Sequence, residues 1–154
     1  MSKKAEKYCY DYPRPAVTVD VAVVTSEKDR RVLLIRRKQE PFAGMWAIPG
    51  GFIEMDETLE DAARRELKEE TGAEIETIEQ VAAFGDPRRD PRGRTVSILY
   101  LAEVNAEDLQ VYAADDAAEV GWHRLAAPPP LAFDHAQMLA CVRERLAAAE
   151  ERSG

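Results

Sequence analysis

Hydrophobic and polar positions alternate along this chain with two different periods. Residues 17–24 form a valine-rich run broken only by Asp20, which predicts a buried strand. Residues 26–30 are a charged turn, and 31–37 predict a second strand, the hairpin partner of the first. After a loop at 41–45, residues 46–48 predict a short strand that enters the turn Pro49-Gly50-Gly51. Leu59, Ala63 and Leu67 then recur at helical spacing. They predict a helix over 58–71, opened by a Thr58/Asp61 capping box and stopped by Gly72. Residues 73–84 predict a returning strand, 85–94 a loop, 95–104 a strand and 120–122 a shorter one. Pro128, Pro129 and Pro130 make a stiff connector. Met138, Leu139, Val142 and Leu146 predict a closing helix over 134–149 with Asp134 as its N-cap. Strands around one helix, followed by a second helix, predict a layered domain of the α/β or α+β class.

Composition narrows the function classes. The chain has 154 residues, enough for one domain with its own core, so a single domain over 1–154 is expected, with 1–8 flexible. The net charge of −8 and the lack of a basic run argue against a nucleic-acid partner. No stretch is long and apolar enough to span a membrane, and the start MSKKAEKY lacks a signal peptide's apolar region. Cys9 and Cys141 have no metal-type spacing and read as free thiols in a reducing cytoplasm. His123 and His135, the only histidines, also lack ligand spacing.

The chemistry is concentrated in GFIEMDETLEDAARRELKEETGA, residues 51–73. Glu66, Glu69 and Glu70 fall three and four residues apart, on neighbouring positions of one helical face. Crowded carboxylates repel one another and weaken the helix that carries them, unless a cation sits among them. Oxygen-only donors suit Mg²⁺, with Mn²⁺ as the alternative. A charged helix face is usually only a solvated one, and Arg65 with Glu69 reads equally as a surface ion pair. Two features favour a site. The acidic face borders the apolar stripe, and a glycine turn precedes the helix where backbone can approach a ligand.

The same stretch resembles the signature of the Nudix hydrolases at Gly51, Glu57, Arg65, Glu66, Leu67, Glu69, Glu70 and Gly72. Only Ala73 departs, where the family has a larger aliphatic residue. The resemblance implies an α/β/α sandwich with a mixed sheet, and metal-dependent hydrolysis of a nucleoside diphosphate derivative. It implies Glu66, Glu69 and Glu70 as metal ligands, with Arg65 holding Glu69 or Glu66 in place. Gly51 would let the turn bend, and Gly50 and Gly51 would approach the substrate. The general base is expected at Asp116, beside Asp115, or the pair is a solvated acidic turn.

The loop GDPRRDPRGR, followed by TVSILY, narrows the resemblance to the ADP-ribose pyrophosphatases and to related domains in NAD metabolism and its regulation. YDYPRPAVTVD and LAFDHAQML resemble the same subgroup. Arg88, Arg92 and Arg94 are the candidate phosphate clamp; the bland reading is a soluble loop with self-paired charges. The implied reaction cleaves ADP-ribose to AMP and ribose 5-phosphate. The alternatives are another nucleotide, such as a nucleoside triphosphate, or a non-catalytic ADP-ribose sensor. The intact signature and the chain's end soon after the closing helix are expected to disfavour the sensor. Family relatives often dimerise through the N-terminal region, so a homodimer is expected.

Overall fold

The computed structural model describes residues 7–113 and 117–154. Strand β1 (Ala16–Thr25) is the axis of a mixed sheet. Strand β6 (Thr95–Val104) runs parallel to it over ten residue pairs, from Ala16↔Thr95 to Thr25↔Val104. Strand β5 (Glu79–Phe84) pairs antiparallel with β6. The opposite edge of β1 is shared. Its first half pairs antiparallel with β4 (Gly50–Phe52), and near its end Val24 meets Val32 of β2 (Arg31–Arg37). Strand β2 then leaves β1 and pairs along its length with β7 (Ala117–Arg124), while β3 (Trp46–Ala47) takes the end of its other edge.

Period-two alternation along β1 decides which helix each side chain meets. Val19, Val21 and Val23 pack with Leu33 and Tyr100 against Ala62, Ala63 and Leu67 of α1 (Leu59–Thr71). Ala22 and Val24 point to the other face and join Leu99, Leu101, Met138, Leu139, Val142 and Leu146, the last four on α2 (His135–Ser153). Two cores on opposite faces of one sheet make the expected α/β/α sandwich. Among the described residues no helix is long and apolar enough to cross a membrane.

Helix α1 starts and stops as its sequence predicts. Thr58 Oγ1 accepts the Asp61 N–H at 3.1 Å, and Gly72 takes the left-handed conformation at φ +73°. Three expectations need correction. The hairpin of β1 with β2 is confined to their turn-proximal ends, because Gly50–Phe52 occupies the rest of that edge. Strand β5 starts at Glu79 rather than at residue 73. Strand β7 covers eight residues rather than three, drawn out by pairing with β2. Asp134 is the N-cap of α2 as expected, but without a side-chain cap bond, and its carboxylate pairs with Arg89.

Gly72 is fixed by sterics as well as by φ: a β-carbon there would stand 2.3 Å from the Tyr112 ring. We expect Gly72→Ala to lower unfolding free energy by at least about 1–2 kcal/mol, the left-handed penalty alone. Urea unfolding measures it. The adjacent Tyr112→Ala variant should recover only the steric part of the loss.

Candidate active site

Asp20 follows the same alternation as Ala22 and Val24, so it points to the α2 face at the end where the apolar core stops. There it is 6% exposed. Its Oδ2 accepts a short hydrogen bond from Ser97 Oγ, and its Oδ1 lies 3.6 Å from His135 Nε2. His135 Nδ1 accepts the Ile48 N–H at 3.0 Å, so the ring proton belongs on Nε2, facing Asp20. Burial pushes the Asp20 carboxyl up and the His135 imidazole down, in each case against the pull of the other.

The two glycines stand where carboxylates crowd the backbone. A β-carbon at Gly50 would fall 2.1 Å from the Val19 carbonyl oxygen and 2.5 Å from Asp20 Oδ1. At Gly51 it would fall 2.5 Å from Glu66 Oε2. Neither residue has a left-handed φ, and both lie in β4 rather than in a turn. Gly51 therefore serves close approach rather than bending. The Gly50 N–H donates to Glu70 Oε2 at 3.4 Å.

Glu66 and Glu70, one helical turn apart, both line the cleft beside these glycines. Burial, then the neighbouring Glu66 charge, pushes the Glu70 carboxyl well above its ordinary range. Burial raises Glu66 as well, with Arg65 opposing. Arg65 ties the acidic helix together. Its Nη2 and Nε donate to Glu57 at 2.6 and 2.9 Å, and its Nη1 to Glu66 at 2.9 Å and Glu69 at 3.3 Å. Nη2 also reaches the Phe52 carbonyl at 3.1 Å. Glu57 in turn accepts the Glu54 N–H at 2.8 Å, and the Arg65 bonds hold its carboxyl below the usual range. Glu69 is half-exposed against Arg65 and does not line the cleft.

The cleft encloses about 280 Å³. Of the three arginines expected to clamp phosphate, Arg92 lines it. Asp90 grips the Arg92 guanidinium, with Nη2 2.8 Å from Oδ2, and the Phe52 and Phe133 rings lie 4.8 and 5.3 Å from it. Arg94 instead donates to the Gly85 carbonyl at 2.6 Å, and Arg88 is exposed; neither lines the cleft. Arg89, a member of the same arginine-rich loop left out of that clamp set, does line the cleft, as do Arg37 and Phe133, which sequence reasoning missed. Phe133 has φ +52°, rare for an aromatic residue, and Arg37 stacks on its ring at 5.0 Å. The segment LAFDHAQML held the available signal for Phe133 and His135. Asp116, the expected base, and Asp115 lie outside the described residues.

Among the described residues no three His, Cys, Asp or Glu side chains gather into a ready ligand set. The donors that do converge on the cleft nevertheless fit a hard cation. Glu66, Glu70 and Asp20 offer oxygen alone, and their repulsion is what a divalent ion offsets. The cleft thus sets acidic oxygens beside the guanidinium groups of Arg37, Arg89 and Arg92, an arrangement that can hold a cation and an anionic substrate together.

Comparison with known proteins agrees with this geometry. Residues 14–142 match the family described as the NUDIX domain. The ADP-ribose pyrophosphatase of Methanocaldococcus jannaschii is 44% identical over 128 residues, which cover 83% of this chain and 73% of that protein. The ADPR responsive transcriptional repressor NtrR of Acinetobacter baylyi is 40% identical over 84% of this chain, but only 53% of the repressor is spanned. The NUDIX domain of Shewanella oneidensis NrtR, solved with ADP ribose, superposes with a TM-score of 0.80 at 37% identity, covering 89% of this chain and 94% of that one.

The Arg65 network generates a pH-dependent expectation. Arg65→Met should lower stability by about 2–3 kcal/mol at neutral pH, the loss of charge-assisted bonds to Glu57. Glu57 has a depressed folded pKa, so its contribution is full above the unfolded value of about 4.3. It is lost as pH falls through the lower folded value. Denaturant melts of both proteins at neutral and acid pH should show the gap narrowing on acidification.

Proposed function

The chain belongs to the Nudix hydrolase family, and from that premise we propose that it cleaves the phosphoanhydride of ADP-ribose, giving AMP and ribose 5-phosphate. The observation that carries this reading is one cleft lined by both the signature carboxylates and three guanidinium groups. The archaeal relative named ADP-ribose pyrophosphatase and the ADP-ribose-bound NUDIX domain support the choice of substrate. Mg²⁺ is the proposed cation, with Mn²⁺ able to replace it; cleft donors confined to oxygen support both.

Glu66 and Glu70 would hold the cation. Glu69, half-exposed against Arg65, is assigned the weaker share. When bound, a divalent cation neutralises phosphate oxygens and makes water a better nucleophile. The protein's own part is position. Arg65 fixes the Glu66 carboxylate through its 2.9 Å bond and so preserves the ligand geometry. The absence of side chains at Gly50 and Gly51 leaves Asp20 and Glu66 room against the strand. Arg92, braced by Asp90 and two phenyl rings, would bind substrate phosphate at the cleft wall. Water adds to one phosphorus and the bridging oxygen leaves with the other phosphate. Of the two water protons, one goes to base or solvent. The second is shared between a product phosphate and solvent, since a phosphate monoester's second pKa is about 6.

A second reading has its own support: the repressor relative responds to ADP-ribose, so the cleft would bind this ligand without cleaving it. Product analysis separates the two. With ADP-ribose and Mg²⁺, the enzyme reading expects AMP and ribose 5-phosphate in equal amounts, and none after chelation. Tight binding with no product would favour the sensor.

Glu70→Gln preserves shape and removes charge. We expect kcat/KM to fall by at least about 100-fold, equal to about 2.7 kcal/mol of lost charge stabilisation, with the fold retained. Near-normal turnover at limiting Mg²⁺ would remove Glu70 from the ligand set.

A further inference from the structure

Three consecutive residues at the head of α2 each grip a different wall of the cleft. Phe133 lies beneath the Arg37 guanidinium of β2 and near Arg92 of the 85–94 loop. His135 reaches across to the Ile48 N–H, beside the strand that carries the glycines. Between them, Asp134 accepts Arg89 Nε at 2.9 Å and Nη2 at 2.7 Å. The pair joins positions 45 residues apart and is nearly buried, at 4% and 13% exposure. Two parallel bonds fix the plane of a guanidinium as well as its place.

Asp134 stands where a helix cap is expected, yet it makes no side-chain cap bond. Its carboxylate is committed to Arg89 alone. Arg89 has further N–H groups, and its Nη1 has no acceptor among the described residues, although the side chain lines the cleft. A guanidinium locked along one edge, with another edge unused beside a cleft, is prepared for an anion.

We propose that Asp134 is a positioning residue that aims Arg89 into the cleft, where Arg89 binds the diphosphate of the substrate. The inference rests on the ADP-ribose reading above and deepens it. Affinity would then be set from the closing helix, whereas the signature helix sets turnover. Arg88 and Arg94, which do not line the cleft, would contribute little to affinity.

The test is a double-mutant cycle read by calorimetry, with ADP-ribose titrated into intact protein in excess chelator, so that neither metal nor turnover contributes. Arg89→Lys should weaken binding about 10- to 100-fold, because an ammonium cannot reproduce the fork. Asp134→Asn should weaken it about 10-fold, and should add almost nothing in the Arg89→Lys background. In steady-state assays KM should rise by far more than kcat falls. Because the pair is buried, folding is checked by thermal melts, and an Arg89→Met/Asp134→Leu variant that removes both charges replaces any single variant that fails to fold. It should bind as weakly as Arg89→Lys or more so. Wild-type affinity in folded variants, or additive losses in the cycle, would overturn the proposal while leaving the hydrolase reading intact. A wild-type protein that neither binds nor cleaves ADP-ribose would overturn both.

Discussion

Two carboxylates that repel each other are held side by side in a cleft where burial already disfavours their charge. Burial raises the pKa of both Glu66 and Glu70, Glu70 strongly so, and the Glu66 charge pushes Glu70 further up. Much of the surrounding structure makes this arrangement possible. Leu67, between them in the sequence, anchors α1 in the core beside Ala62 and Ala63. Arg65 holds Glu57, Glu66 and Glu69 at once and offsets part of their charge. Gly50 and Gly51 let strand β4 pass between Asp20 and Glu66, where any side chain would collide.

The sheet turns this local tension into a site. Parallel pairing of β1 with β6 brings Ser97 to Asp20, and antiparallel pairing of β1 with β4 brings Gly50 to the same carboxylate. One residue of alternation then separates the α1 core from the α2 face, so Asp20 meets His135 and not Leu67. The cleft opens where the α2-facing positions of β1 change from Val24 and Ala22 to Asp20. The head of α2 closes the far wall through Phe133, Asp134 and His135.

What the sequence made legible follows the range of the forces involved. Strand β1, strand β6 and helix α1 were readable because a valine run, an apolar strand pattern, an N-cap and a C-terminal glycine are local signals. The partner of β2 was not. Pairing with β7 joins residues about 90 positions apart, and no local pattern encodes that choice. Gly50 and Gly51 were singled out for close approach, and Gly51 for bending as well; the contacts that exclude a side chain there are with Asp20 and Glu66, which only the fold brings near. Asp134 was readable as the N-cap of α2, but its side-chain pairing with Arg89, 45 residues distant, was not. The arginine-rich loop was correctly singled out as a cluster, yet spacing within it could not tell which guanidinium groups turn inward. Arg89 and Arg92 line the cleft, while Arg94 folds back on Gly85.

The central claim is that repulsion between Glu66 and Glu70 is relieved by a divalent cation. Thermal unfolding of the metal-free protein against added Mg²⁺ tests it directly. Binding to the folded state alone should raise the midpoint by about 5–10 °C at roughly 100 times the dissociation constant. Glu70→Gln should melt at least as high as wild type without metal, because the repulsion is gone, and should lose most of the Mg²⁺ response. Unchanged wild-type melting at saturating Mg²⁺, or an equal rise in Glu70→Gln, would contradict the account.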